Sequence, residues 1–159
     1  IDSDFGLAFY KAQEATKGTL PMEGTVLLTV SERDRSEKLA DTAKRLKEAG
    51  FKLLATGGTA AFLEERGIEV EPVLKMHEGR PNIVDAVKNG EVQLIVNTPS
   101  GKLSIHDDSY IRKSAIQHNV PYITTVAAAV AAAEGIAARH TGQAPIRSLQ
   151  EWHADLERP

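Results

Sequence analysis

The chain has 159 residues, a hydrophobic content of 42%, a charged content of 26% and a formal net charge of −3 at pH 7. This composition is typical of one soluble domain that is long enough to bury a sizeable core. The negative charge favours no nucleic-acid or anionic-membrane partner, so any anion site must be built locally. Because cysteine is absent, disulfides, thiolate metal sites and a cysteine nucleophile are excluded, which fits a cytoplasmic location.

The chain opens with a predicted helix over residues 4–15. A linker follows through "TKGTLPMEG", whose glycines and proline disfavour regular structure. The opening has no basic segment and no initiating Met, so we expect no signal peptide and interpret it as part of a longer polypeptide. The longest apolar run, "VAAAVAAAEGIAA", is too short to span a bilayer, so no membrane partner is expected.

Five short apolar runs then alternate with helical patterns. This alternation is typical of a parallel sheet covered by helices on both faces, and it predicts an α/β, three-layer, Rossmann-like fold with a parallel five-stranded sheet. The leading helix is expected to pack outside the core or to be loosely attached. The predicted strands are 25–30, 51–56, 68–73, 92–98 and 121–126, and the helices are 33–50, 59–67, 82–90, 107–119, 126–138 and a last one capped by Ser148.

Phosphate-compatible residues follow the predicted strands, where ligands bind in an open α/β sheet. The stretch "ATGGT" places glycines, two hydroxyls and the N–H groups of a helix start together, an arrangement that suits an anion. Cations follow the first and third strands, and carboxylates at this edge are few. We therefore predict a phosphate cradle here. The residues that follow the strands are Thr29, Ser31, Arg35, 56–59, Lys75, His77, Arg80, 97–102, Thr124 and Thr125.

Each feature also has a purely structural interpretation. Gly-Gly turns occur without ligands, exposed cations are commonly solvated, and Asn97 and Thr98 could simply cap a turn. The histidines lack metal-ligand spacing, so no metal site is predicted. Asp107 and Asp108, at the start of a predicted helix, are interpreted as complementing its dipole rather than as an acid/base pair.

Four segments carry a resemblance to a known family: "LLATGGTAAFL", "KMHEGRPNIVDAVKNGE", "NTPSGK" and "IRKSAIQHNVPYITTV". Together they resemble the carboxy-terminal regulatory domain of the carbamoyl phosphate synthetase large subunit, a branch of the methylglyoxal-synthase-like fold. The resemblance extends over residues 1–157. It implies that residues 1–23 are a connecting helix and linker from the synthetase body, and that residues 24–159 are the methylglyoxal-synthase-like allosteric domain.

The resemblance also implies the ligands. In the family this domain binds nucleotide monophosphate effectors, with UMP as inhibitor and IMP as activator, and it contributes to an ornithine site. Arg35 replaces a family lysine, Lys102 replaces an arginine of some members, and Pro99 replaces a threonine that often reaches the ligand. The implied effector residues are Arg35, Thr56, Gly58, Thr59, Lys75, Asn97, Thr98 and Lys102, and the implied ornithine residues are Tyr122 and Thr124.

The parent that the resemblance implies is a cytoplasmic, glutamine-dependent, ATP-dependent ligase of pyrimidine and arginine biosynthesis. It uses ATP with Mg or Mn, whereas no cofactor is implied in this domain. The implied protein partners are the synthetase domains of the same large subunit and the small glutaminase subunit of the complex. No nucleic-acid partner is implied.

Two alternatives come from other classes of protein. Methylglyoxal synthases carry a Gly-Gly-Asp-Gln-Gln segment after the third strand, whose aspartate is the catalytic base. The matching stretch here is residues 78–82, in which Arg80 takes the place of the base, and a guanidinium cannot abstract a proton. A methylglyoxal-synthase-type lyase is therefore disfavoured, and no catalytic residue is predicted. The other alternative is a structural or oligomerisation module whose effector site is disabled by Pro99.

Overall fold

The computed structural model describes residues 1–16, 18–100, 102–142 and 146–156, and side chains in these ranges except those of 102–106 and 156. None of the described helices is long and apolar enough to cross a membrane. The strands are β1 (Thr25–Val30), β2 (Lys52–Thr56), β3 (Glu71–Val73), β4 (Leu94–Thr98) and β5 (Tyr122–Ile123). The helices are α1 (Phe5–Glu14), α2 (Glu37–Glu48), α3 (Gly57–Glu64), α4 (Ile83–Lys88), α5 (Lys102–Gln117), α6 (Val126–His140) and α7 (Leu149–Leu156), with a 3-10 turn at Glu32–Asp34.

The five strands form one parallel sheet in the order β3-β2-β1-β4-β5. This confirms the predicted α/β fold and its five-stranded parallel sheet. The chain builds outward from β1 through β2 to β3, and then crosses to the other side of β1 to add β4 and β5. The order therefore reverses between β1 and β4, and in open α/β sheets a ligand crevice lies at such a reversal, beyond the carboxyl ends of the strands.

Both faces of the central strands β1, β2 and β4 are largely buried, which explains why most of their residues are apolar. Val26 and Leu28 of β1 pack into a core with α1, α2, α3 and α6, whereas Leu27 between them packs into a second core with α4 and α5. Strands β2 and β4 alternate in the same way. Complete burial of one such side chain stabilises the fold by about 1.5–3 kcal/mol.

Several predicted boundaries differ from the structure. Strand β3 begins at Glu71, because the N–H of Ile68 donates to the carbonyl of Leu63 and closes the end of α3. Helix α3 begins at Gly57 directly after β2, and β5 has only two residues. The predicted helix over 33–50 is divided into the 3-10 turn and α2. Helix α5 begins at Lys102, earlier than the predicted start at Asp107 or Asp108.

The expectation that the leading helix lies outside the core or is loosely attached is wrong. Tyr10 of α1 is buried within the larger core. Gly6 of α1 and Gly135 of α6 allow the two helices to touch, since a Cβ on Gly135 would lie 2.5 Å from the carbonyl oxygen of Gly6. Helix α1 is thus packed on α6. The division of the chain after residue 23 stays a prediction about the parent protein.

Candidate functional site

A cavity of about 400 Å³, named here the edge cavity, opens at the carboxyl ends of the strands. It lies at the reversal of strand order, where the fold is expected to bind a ligand. Most of its lining comes from the ends of β1, β2 and β4 and the segments that follow β1, β3 and β4. The lining residues are Thr29, Val30, Ser31, Glu32, Arg35, Thr56, Lys75, His77, Thr98, Ser100 and Asp107.

Hydroxyl groups from three adjacent strands and the loop after β1 line the edge cavity. The Thr56 hydroxyl donates to Thr29 Oγ1 at 3.2 Å, and the backbone N–H of Ser31 donates to Thr98 Oγ1 at 3.0 Å. The Ser31 hydroxyl donates to Asp34 Oδ2 at 2.7 Å, and this hydrogen bond is the main reason why the pKa of Asp34 is lowered. Parallel pairing of β1 with β2 and β4 brings these groups to the same edge.

Arg35 lies against the N-terminus of α3. Its Nε donates to the Val30 carbonyl at 3.2 Å, and its guanidinium fills the space beside Gly58, where a Cβ would be 2.4 Å from Nη2. The first turn of α3 has no acidic residue, and its N-cap, Thr56, makes no side-chain capping bond. A guanidinium beside the positive end of an uncapped helix is electrostatically unfavourable by itself, so this arrangement favours an anion that contacts both.

Lys75 and His77 bring two further basic groups to the edge cavity from the segment after β3. His77 Nδ1 lies 2.8 Å from Asp107 Oδ2. The amine of Lys75 has no partner among the described residues, although its backbone N–H donates to Glu78 Oε2. The acidic residues Glu32 and Asp107 also line the cavity, so its charge is more mixed than the sequence suggested.

The structure brings four predicted effector residues together in the edge cavity: Arg35, Thr56, Lys75 and Thr98. Gly58 lies beside them, where its lack of a side chain makes room for Arg35. The side chain of Lys102 is outside the described part of the chain. The sequence placed Ser31 and His77 after strands but left them out of the effector set, and it gave Glu32 and Asp107 no role in a site.

Thr59 does not line the edge cavity. It is only 1% exposed. Its hydroxyl oxygen accepts from the backbone N–H of Val30 at 2.9 Å, and the hydroxyl donates to the carbonyl of the same residue at 3.2 Å. Thr59 therefore ties α3 to β1 through its hydroxyl. Its contact with phosphate stays a prediction that now rests on its backbone N–H at the start of α3.

Asn97 belongs to a polar cluster on the α5 side of the sheet rather than to the cavity lining. It is 3% exposed, and its Nδ2 donates to Asp108 Oδ1 at 2.8 Å and to the hydroxyl of Tyr122. That hydroxyl donates to Asp108, whose Oδ2 also accepts from Arg112 Nη2 at 3.1 Å. Burial, followed by the hydrogen bond to Asp108, raises the pKa of Tyr122. Thr124, the other residue predicted to contact ornithine, is exposed beyond β5.

The interpretation of Asp107 and Asp108 as charges at a helix start is wrong. Helix α5 starts at Lys102, so both residues lie in its second turn. Each instead makes a tertiary contact, Asp107 with His77 and Asp108 with Asn97 and Tyr122.

Arg80 lies outside the edge cavity lining. Its side chain is 79% exposed, and its Nε donates to Asp85 Oδ2 at 3.0 Å. Asp85 completes the capping box of α4 with Asn82, and the hydrogen bond from Arg80 is the main cause of its lowered pKa. Arg80 therefore stabilises the start of α4. In the described part of the chain, no group of three or more His, Asp or Glu side chains is placed to hold a metal ion.

Comparisons with known proteins place this arrangement in a family. A sequence model of the MGS-like domain matches residues 38–124. The carbamoyl phosphate synthase large chain of Gemmatimonas aurantiaca is 54% identical over 159 residues, which are 100% of this chain and 14% of that protein. The large chain of Archaeoglobus fulgidus is 45% identical over 155 residues, 98% of this chain and 14% of that protein. The C-terminal section of the Aquifex aeolicus large chain is 47% identical over 136 residues, 86% of this chain and 25% of that protein.

The chain therefore spans a seventh to a quarter of the length of these curated relatives. The crystal structure of methylglyoxal synthase from Elizabethkingia anophelis superposes with a TM-score of 0.52, covering 88% of this chain and 94% of the other. Its sequence identity is 18%, so the likeness concerns the fold alone.

Proposed function

Because the chain belongs to the MGS-like domain family, we propose that it is an allosteric regulatory domain whose edge cavity binds the phosphate of a nucleoside monophosphate. The observation that carries the proposal is Arg35, whose guanidinium packs against the uncapped N-terminus of α3 in a cavity that Lys75 also lines. These groups offer two cations, helix N–H groups and threonine hydroxyls to one ligand. A phosphate monoester matches that set of donors.

Neither cation is neutralised by a described carboxylate. Arg35 uses only its Nε, on the Val30 carbonyl, and the Lys75 amine has no described partner. A phosphate monoester carries close to two negative charges at pH 7, so it could engage both cations with charge-assisted hydrogen bonds. Each such bond is worth about 1.5–3 kcal/mol.

The position of Pro99 argues against a disabled effector site. Proline supplies no side-chain donor, but the residues on either side of it, Thr98 and Ser100, both line the edge cavity. Residues with hydroxyl groups therefore still line this side of the cavity at the end of β4. The alternative of a structural or oligomerisation module depends on an effector site disabled by Pro99. It is weakened because residues with hydroxyl groups still line this side of the cavity.

The proposal also covers the longer parent protein to which this domain belongs. Similarity to carbamoyl phosphate synthase large chains along the whole chain supports a regulatory domain that associates with the synthetase domains of such a large chain. We further propose UMP and IMP as effectors and the small glutaminase subunit of the glutamine-dependent synthetase as a partner, as the family resemblance implies. We assign ATP with Mg or Mn to the parent and no cofactor to this domain. Ornithine would contact Tyr122 and Thr124 at the border with the synthetase body. Because the Tyr122 hydroxyl is already bonded to Asp108 and Asn97, we expect the isolated chain to bind ornithine weakly.

The proposal is tested by calorimetric titration of UMP, IMP and inorganic phosphate into the wild type and Lys75→Ala. We expect Lys75→Ala to weaken binding by about ten- to a hundredfold, through loss of one charged contact. Lys52→Ala is the matched control, because this exposed lysine begins β2 at the opposite edge of the sheet. Equal affinities of the wild type and Lys75→Ala, or no binding to the wild type, would contradict the proposal.

A further inference from the structure

We infer that Glu32 binds the ribose hydroxyls of the nucleotide and makes the edge cavity selective for ribonucleotides over 2′-deoxyribonucleotides. The inference rests on the proposed binding of a nucleoside monophosphate and names the residue that selects its sugar. Glu32 begins the 3-10 turn after β1 and is exposed where it lines the cavity.

The pairing of charges in the edge cavity singles out Glu32. The other carboxylate that lines the cavity, Asp107, is bonded to His77. Glu32 has no side-chain partner in the part of the chain that the structure describes, and it forms no ion pair with Arg35 or Lys75. The cavity thus combines two cations suited to phosphate with one carboxylate that is available for a different part of the ligand.

The chemistry of a carboxylate decides what that part must be. An ionised carboxylate only accepts hydrogen bonds, and its two oxygens can each accept one from a pair of neighbouring hydroxyls. A ligand with nothing but phosphate oxygens would be repelled by Glu32. A ribonucleoside monophosphate satisfies both requirements, with phosphate for the cations and a vicinal diol for the carboxylate. Acidic side chains bind ribose hydroxyls in the same way in dinucleotide-binding sheets.

The size of the cavity agrees with a ligand of this kind. At about 400 Å³, it falls within the usual range for a small-molecule site and exceeds what a single phosphate ion would fill. Glu32 and Arg35 are separated by a single turn of chain, so one ligand that binds Arg35 through its phosphate would keep its sugar close to the same segment.

The test combines two proteins with three ligands in calorimetric titrations: wild type and Glu32→Gln with UMP, 2′-deoxy-UMP and inorganic phosphate. We expect the wild type to bind UMP about tenfold more tightly than the deoxy form, as befits one hydrogen bond to a charged group. In Glu32→Gln that ratio should fall to about two or less, because a neutral amide accepts a weaker bond. Inorganic phosphate should bind Glu32→Gln at least as tightly as the wild type, because a repelling charge has been removed.

The two opposite changes separate a specific role from damage to the fold, since Glu32→Gln should lose affinity for UMP without losing affinity for phosphate. Glu48→Gln is the control, because this exposed carboxylate ends α2 and lies outside the cavity lining. An unchanged ratio of UMP to deoxy-UMP affinity in Glu32→Gln would overturn the inference and leave the proposed function standing. A wild type that binds neither UMP nor phosphate would overturn both.

Discussion

Gly57 and Gly58 are neighbours in the sequence, but the structure gives only the second of them a role in the site. A Cβ on Gly57 meets nothing within 4 Å, whereas a Cβ on Gly58 would come within 2.4 Å of the Arg35 guanidinium. The sequence pattern assigns both glycines to one anion-binding helix start and does not distinguish between them. The structure gives Gly58 a different task, which is to make room for a cation.

This difference predicts that alanine at Gly58 affects phosphate binding and that alanine at Gly57 does not. Gly58→Ala should push Arg35 away from the start of α3 and weaken phosphate binding by about tenfold, the loss expected for one charged contact. Gly57→Ala should leave phosphate affinity unchanged and raise stability slightly, because alanine favours a helix. Phosphate titration and urea unfolding of both variants check this. Equal phosphate affinities in the two variants would show that Arg35 does not depend on Gly58.

Among the secondary-structure elements, helix α5 contributes to two separate clusters of polar side chains. Asp107 contacts His77 on the cavity side, and Asp108 contacts Asn97 and Tyr122 at the ends of β4 and β5. Asn97 and Tyr122, which the family resemblance assigns to two different ligands, thus share one carboxylate. A ligand that moved α5 would therefore change both the contact of Asp107 with His77 and the contacts of Asp108 with Asn97 and Tyr122.

The raised pKa of the Tyr122 phenol predicts that the free energy of unfolding falls at high pH. Its pKa in the folded protein is raised above the ordinary value of 10.0, first by burial and then by the hydrogen bond to Asp108. The folded state therefore holds this proton more tightly than the unfolded state. The resulting stability is complete below about pH 10 and is lost as the pH rises further.

The pH prediction is checked by urea unfolding from about pH 8 to about pH 11. Wild type should lose stability with pH more steeply than Tyr122→Phe, which lacks the titrating group. Tyr110→Phe is the control, since this side chain is 46% exposed, and it should follow the wild type. Identical slopes for wild type and Tyr122→Phe would contradict the raised pKa.

The fold and the residues that follow the strands could be predicted from the sequence. The direction in which each side chain points could not. Alternating apolar runs placed Arg35, Thr56, Lys75 and Thr98 at one edge, because parallel strands all end there. Thr59 looked equally suitable, yet it turns toward Val30 of β1. Which way such a side chain turns depends on how the helix packs, and no local pattern records that.

The start of α5 was mispredicted for a related reason. Acidic residues are common in the first turn of a helix, so the local pattern predicts that α5 begins at Asp107 or Asp108. In the structure the helix extends back to Lys102, and the two carboxylates find partners on other elements. These partners are distant in sequence, so tertiary contacts overrode the local signal.

For the function of the molecule as a whole, the question is whether the edge cavity has the residues that a lyase would need. The His77–Asp107 pair lies in the cavity and is the observation that most favours the lyase alternative. Arg80, which takes the place of the expected base, is bonded to Asp85 and lies outside the cavity lining. We expect no methylglyoxal formation from dihydroxyacetone phosphate above a buffer blank. Turnover that is lost in His77→Ala would establish the lyase instead.

We propose that the phosphate of a nucleotide binds at one edge of the sheet. A nuclear magnetic resonance titration of the isotope-labelled chain with UMP tests this placement directly, because each backbone amide reports its own environment. We predict the largest shifts at residues 29–35, 56–59, 75–77 and 98–100, which surround the edge cavity. Shifts concentrated at the opposite edge, around Lys52 and residues 69–72, or no shifts at all, would contradict the claim.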